Sequence, residues 1–75
     1  MKITVYSTST CPWCAVAKNY LKEKKIEFTD RNVSNDRSAA DEMIRKSGQR
    51  GVPVIDIDGN IIVGFNKVEI DRLIP

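Results

Sequence analysis

Residues 2–6 alternate polar with β-branched and aromatic side chains, and the polar stretch 7–10 ends the pattern, so a strand is predicted to run straight into a short loop. The period then changes. Through residues 12–25 the apolar positions Ala17, Tyr20 and Leu21, with Val16 one turn before Tyr20, follow helical spacing. Pro12 suits the first helical position, where its fixed φ helps and its missing N–H is not needed. Residues 26–33 return to strand composition, and the intervening helix is long enough for the crossover of a parallel βαβ unit. A narrow stripe of Ala40, Met43, Ile44 and Ser47 marks a second helix, with Ser34 or Asp36 as its cap and Gly48 as its stop. Residues 54–57 and 61–63 flank Asp58, Gly59 and Asn60, where Asp-Gly signals a hairpin. Asn66 and Glu69 have capping-box spacing, and Phe65 and Ile70 stand where a hydrophobic staple would, so a short third helix closes the chain. The order β-α-β-α-β-β-α predicts one α/β domain over residues 1–75, a four-stranded mixed sheet flanked by three helices.

Composition limits what such a domain can do. With 75 residues, 41% of them hydrophobic, the chain has material for one core only. At about 1.5 kcal/mol of conformational entropy per ordered residue, about 110 kcal/mol opposes folding, and nearly every apolar side chain is needed to offset it. Twelve basic against ten acidic residues leave a net charge of +2, too weak and too mixed for a nucleic-acid footprint. Histidine is absent, which removes Ser/His and Cys/His nucleophile pairs, His-ligated zinc and any imidazole acid or base. No apolar run approaches the length of a membrane span, and the first one is too short for the core of a signal peptide. The expectation is a soluble, cytoplasmic, monomeric protein without nucleic-acid or membrane partners. In a reducing compartment its two cysteines point to redox or metal work rather than to a permanent disulfide.

Cys11, Pro12, Trp13 and Cys14 occupy the predicted turn from the first strand into the first helix. The first N–H groups of a helix lack intrahelical partners and together carry about half a positive elementary charge, so a sulfur anion at Cys11 is stabilised relative to the thiol. Helical geometry sets residues three apart at about 5 Å between Cα atoms, within disulfide range. Cys14, inside the first turn and less accessible, can then attack a disulfide that Cys11 has formed with a target. Three other readings use the same residues. A structural staple across so short a loop would contribute only about 2 kcal/mol. A zinc site would need carboxylates or a second chain to complete its ligand set. Inert core cysteines are common, although the proline and the helix start argue against them here.

YSTSTCPWC early, EMIRKSGQRGVPVIDIDG in the middle and VGF before the last helix together resemble the glutaredoxin family over essentially the whole chain. The resemblance implies the thioredoxin fold and dithiol–disulfide exchange through a redox-active Cys11–Cys14 pair. It also implies that Val52 and Pro53 correspond to a Val-Pro pair whose proline is cis and faces the cysteines, leaving the valine backbone free to pair with a thiol substrate. Arg50 falls at a basic position suited to a substrate carboxylate. Pro12, Trp13, Gly64, Phe65 and Asn66 complete the expected substrate-binding set; from the residues themselves, Trp13 either offers an apolar ring beside the sulfurs or packs against the loop, and Gly64 either permits close backbone approach or makes an ordinary strand-end turn.

No bound cofactor is implied. The partners would be a disulfide-containing protein substrate and, as electron source, either a thioredoxin-reductase-like flavoprotein or glutathione. Thr8 stands where many glutathione-binding members carry lysine, and Gly64, Phe65, Asn66 and Lys67 replace a Gly-Gly or Gly-x-Asp-Asp segment. The Gly-Phe pair looks more like the glutaredoxin-like electron donors, including those of ribonucleotide reductase, that a flavoprotein reduces. The reading from another class is a module that holds an iron–sulfur cluster or zinc between two chains through Cys11.

Overall fold

The computed structural model describes residues 1–74, arranged as β1 (Ile3–Ser7), α1 (Pro12–Glu23), β2 (Thr29–Asn32), α2 (Arg37–Ser47), β3 (Val54–Ile57), β4 (Asn60–Val63) and α3 (Lys67–Leu73). The sheet runs β2-β1-β3-β4, with β1 parallel to β2 and antiparallel to β3, and β3 antiparallel to β4. The expected mixed sheet with three helices is what forms.

Strand alternation decides which side chains meet which helix. Ile3 and Val5 of β1, Ile55 and Ile57 of β3 and Ile62 of β4 form one buried cluster with Ala17 and Leu21 of α1 and Ile70 of α3. Tyr6 and Val54 alternate to the other face, where Met43 of α2 covers them. All five residues of β1 are buried because this central strand has a neighbour on each edge and helices on both faces. The Cα radius of gyration, 11.2 Å, agrees with the scaling for this length. Among the described residues no helix is long and apolar enough to cross a membrane.

Several boundaries differ from the sequence expectation. β1 spans Ile3–Ser7 rather than residues 2–6. α1 stops at Glu23, because Lys25 adopts a left-handed φ of 59° and the Ile26 N–H returns to the Leu21 carbonyl at 3.0 Å. β2 begins only at Thr29, since this edge strand can pair with β1 alone and its register opens at Thr4↔Thr29; Ile26 and Phe28 pack against the core instead. Val16 is 41% exposed and leaves the apolar face to Ala17 and Leu21. On α2, Ala39 rather than Ala40 is buried with Met43.

The caps also resolve. Asp36, not Ser34, closes the start of α2 by accepting from the Ala39 N–H at 3.1 Å, while Ser34 bonds Asn32. Asp58 and Gly59 both have positive φ, 51° and 93°, a two-residue type I′ turn that returns Asn60 to the ladder opposite Ile57. Asp56 helps to form that turn, accepting from the Gly59 N–H at 2.7 Å. Only half of the capping box forms, because Asn66 accepts from the Glu69 N–H while the Glu69 carboxylate turns to Arg72.

Candidate active site

The last residue of β1, Ser7, is buried, and four residues later the chain enters α1 with Cys11 as its N-cap in extended conformation, φ −96° and ψ 110°. An N-cap side chain accepts from the exposed first-turn amides, and here the acceptor is sulfur: the Cys14 N–H donates to Cys11 Sγ at 3.1 Å. Pro12 follows at the first helical position, exposed and with no N–H to satisfy. The alternation that ends β1 and the cap that begins α1 therefore leave Cys11 at the rim of the sheet, partly exposed. The start of a twelve-residue helix lies beneath its sulfur.

Cys14 lies one turn in and is fully buried. Burial, then a side-chain hydrogen bond with Cys11, push its thiol up to about 11, against the opposing effects of the Thr8 backbone and the Lys18 charge. Both cysteines are free thiols, so two sulfurs of unequal access and environment sit within one helical turn.

The other wall comes from the segment between α2 and β3. The Val52–Pro53 peptide is cis, Pro53 is fully buried, and the Val52 carbonyl is 3.9 Å from Cys11 Sγ, placed to accept from the thiol. The Gly64 N–H donates to the Pro53 carbonyl at 2.8 Å, tying the end of β4 to this segment. Gly64 has φ 81° with open space where a Cβ would stand, so glycine is required for its backbone conformation and not for clearance.

Sequence reasoning missed Gln49. Its side chain bonds both the N–H (2.5 Å) and the carbonyl (3.1 Å) of Gly51, which holds the approach to Val52. Only its place between Gly48 and Gly51 hinted at such a brace. Arg50 is exposed on the same loop, two residues before Val52.

Trp13 is 61% exposed and stacks on Phe65, with ring centroids 6.2 Å apart and planes at 21°. Phe65 in turn meets Tyr20 edge-on at 5.6 Å. The tryptophan thus extends an apolar shelf from α1 to the loop before α3, and Tyr20, read from the sequence as a core position only, supports it from below. Asn66 is occupied as the N-cap of α3. Of the ten residues that sequence reasoning singled out, Cys11, Cys14, Val52 and Pro53 converge on the sulfurs. Trp13, Phe65 and Gly64 border that center, Pro12 fixes the turn, and Arg50 and Asn66 stand at the periphery. Among the described residues no three histidine, cysteine or carboxylate side chains gather in a metal-ligating group. A separate cavity, lined by Lys2, Thr4, Arg31, Glu42, Lys46 and Asp56 among others, lies on the α2 face and shares no residue with the thiol site.

A family model described as Glutaredoxin matches residues 3–62. The uncharacterized glutaredoxin-like 8.6 kDa protein in the rubredoxin operon of Clostridium pasteurianum is 62% identical over 72 residues, 96% of each chain. Glutaredoxin 3 of Escherichia coli is 36% identical over 66 residues, covering 88% of this chain and 80% of that one. Among solved structures, the glutaredoxin-like protein NrdH-redoxin from Escherichia coli, described as having a thioredoxin-like activity profile, superposes with a TM-score of 0.88 at 31% identity, over 100% of this chain and 97% of the other.

Proposed function

The chain belongs to the glutaredoxin family and has the thioredoxin fold, and from that premise we propose that it is a dithiol–disulfide oxidoreductase with Cys11 as nucleophile and Cys14 as resolving thiol. The observation that carries this reading is the placement of Cys11 Sγ. It accepts the Cys14 N–H at the start of α1 while facing the Val52 carbonyl across an open edge.

An anionic Cys11 sulfur attacks one sulfur of a target disulfide, forming a mixed disulfide and expelling the other target sulfur as a thiolate, which takes up a proton. Cys14 then loses its proton and attacks Cys11 Sγ. The Cys11–Cys14 bond forms, the bond to the target breaks, and the target leaves with two thiols while the protein carries the two-electron oxidation as its own disulfide. The burial of Cys14 suits the second role. A target reaches Cys11 first, and only the mixed disulfide brings an electrophilic sulfur against Cys14.

Substrate would lie along the Val52–Pro53 edge, its backbone pairing with Val52 and its apolar side chains meeting Trp13 and Phe65. Arg50 is placed for a carboxylate, and Gly64 and Asn66 shape the turn beside the sulfurs. The chemistry is complete with the two thiols and calls for no bound prosthetic group. The working environment is reducing, as in the cytoplasm, and the unit is the monomer. We assign the electron source to a flavoprotein of the thioredoxin-reductase type. Support comes from Gly64, Phe65 and Asn66 before α3, from Lys67 at its start, and from the thioredoxin-like activity profile described for the Escherichia coli relative.

Cys14→Ser should accumulate a covalent adduct with a disulfide-bonded target that dithiothreitol releases, and Cys11→Ser should form none. Adduct formation in neither variant refutes the assignment. NADPH oxidation with a disulfide substrate, coupled in one arm through a thioredoxin reductase and in the other through glutathione and its reductase, decides the electron source; activity confined to the glutathione arm overturns the flavoprotein assignment.

A further inference from the structure

Cys14 must become an anion to resolve the mixed disulfide, yet burial holds its proton in place. Two of the contributions that favour the protonated form, the hydrogen bond with Cys11 and the Cys11 charge, vanish once Cys11 is tied up with a target. What remains is burial, opposed by the Thr8 backbone and by one cation. That cation is Lys18, four residues along α1, where side chains share a face with Cβ atoms about 5–6 Å apart. It is not a loose surface charge. Its Nζ pairs with Asp30 Oδ2 on β2 at 3.0 Å, and Asp30 Oδ1 accepts from the hydroxyl of buried Ser7 at 2.8 Å. Ser7 is the residue of β1 from which the cysteine loop departs, so the chain Ser7–Asp30–Lys18 fastens the ammonium to the frame that carries the site. The charged groups that bear on Cys14 include Cys11 and Lys18 on α1, with Asp30 on β2 behind the lysine, a carboxylate that also feels the Lys22 charge.

Resting on the assignment of Cys14 as the resolving thiol, we propose that Lys18, anchored through Asp30 to Ser7, is a positioning residue that favours the Cys14 anion during resolution of the mixed disulfide. The proton leaves to solvent and is matched by the one the departing target thiolate takes up, so no further reactant is required.

A neighbouring opposite charge moves an ionisable group by about one pH unit at the lower end of its usual effect. Removing it would leave about tenfold fewer Cys14 anions near neutrality. Each anion would be about threefold more nucleophilic, because nucleophilicity rises with basicity with a slope of about 0.4–0.5. The net effect is a resolving step about three- to fourfold slower.

The test is stopped-flow mixing of reduced protein with one equivalent of a chromophoric aromatic disulfide, which releases one thiolate as Cys11 reacts and a second as Cys14 resolves. Lys18→Met, with Lys18→Gln as a second variant, should slow the second phase three- to fourfold at pH 7.5, leave the first within twofold, and lose its deficit as the pH rises through the Cys14 ionisation. Lys18→Arg should restore the wild-type rate, and Lys24→Met, which removes a surface partner of Asp71, should change neither phase. A second phase that Lys18→Met and Lys18→Gln leave within twofold, or slow equally at every pH, overturns the inference while the thiol assignments stand. A first phase that survives in Cys11→Ser overturns the functional reading beneath it.

Discussion

Alkylation of the reduced protein separates the two thiols by their environments. Cys14 is fully buried and its thiol is pushed up to about 11, first by burial and then by Cys11. At pH 8 such a group is about 0.1% thiolate, whereas a free cysteine ionising at about 8.5 is about 24% thiolate, a deficit of about 240-fold. The greater intrinsic nucleophilicity of the more basic sulfur offsets about 10- to 18-fold of this, leaving about 13- to 24-fold before any steric protection. Cys14 should therefore react at least that much more slowly in the folded protein than in urea, the partly exposed Cys11 should carry most of the label, and Cys14 labelling should grow about tenfold per pH unit up to about pH 11. Both cysteines lie on the tryptic peptide ending at Lys18, so fragment ions locate the label, and the same treatment in concentrated urea supplies the rate without burial. Comparable labelling of both cysteines at pH 8 in the folded protein, or preferential labelling of Cys14, would refute the placement.

Leu21→Ala removes a fully buried contact between α1 and the sheet and should cost about 2.7–5.0 kcal/mol, against a total of about 4–11 kcal/mol for a chain of this length. A urea midpoint shift equivalent to less than about 1 kcal/mol would contradict the packing. Trp13 is the only tryptophan, and its emission should rise when the Cys11–Cys14 disulfide is reduced; a spectrum indifferent to redox state would count against its place beside the sulfurs. Five carboxyls are held below their ordinary range: Asp36 by the Ala39 N–H, Glu42 by the Tyr6 hydroxyl, Glu69 by Arg72, Asp71 by the Tyr20 hydroxyl, and Asp30 because Ser7 and Lys18 outweigh its burial. Their folded values lie below the unfolded ones, so the stability they add is complete above about pH 5 and is lost as the pH falls through the folded values. The urea midpoint should drop between pH 7 and pH 3, less so in Glu42→Gln, and equal midpoints at the two pH values would show that these contacts add nothing.

Much of the architecture is written in local signals, because caps and turns act over three or four residues. Asp-Gly at the hairpin, Asn66 before α3, Gly48 after α2 and Cys11 before Pro12 each constrain backbone groups close by in sequence, and each stands where its chemistry indicates. The start of β2 was not legible, since nothing in residues 26–28 says where an edge strand will meet its single neighbour; the register set by β1 decides it. The exposure of Val16 and the burial of Ala39 were equally hidden, because helical spacing defines a stripe without fixing which side of it the sheet will cover. At the site, the sequence by itself placed the two cysteines three residues apart at a helix start. Only the tertiary structure brought the Val52 carbonyl to Cys11 across forty-one positions, laid Trp13 on Phe65, and fastened Lys18 through Asp30 to Ser7. Those contacts join residues distant along the chain, and such residues meet only once strand order and helix packing have placed their elements side by side.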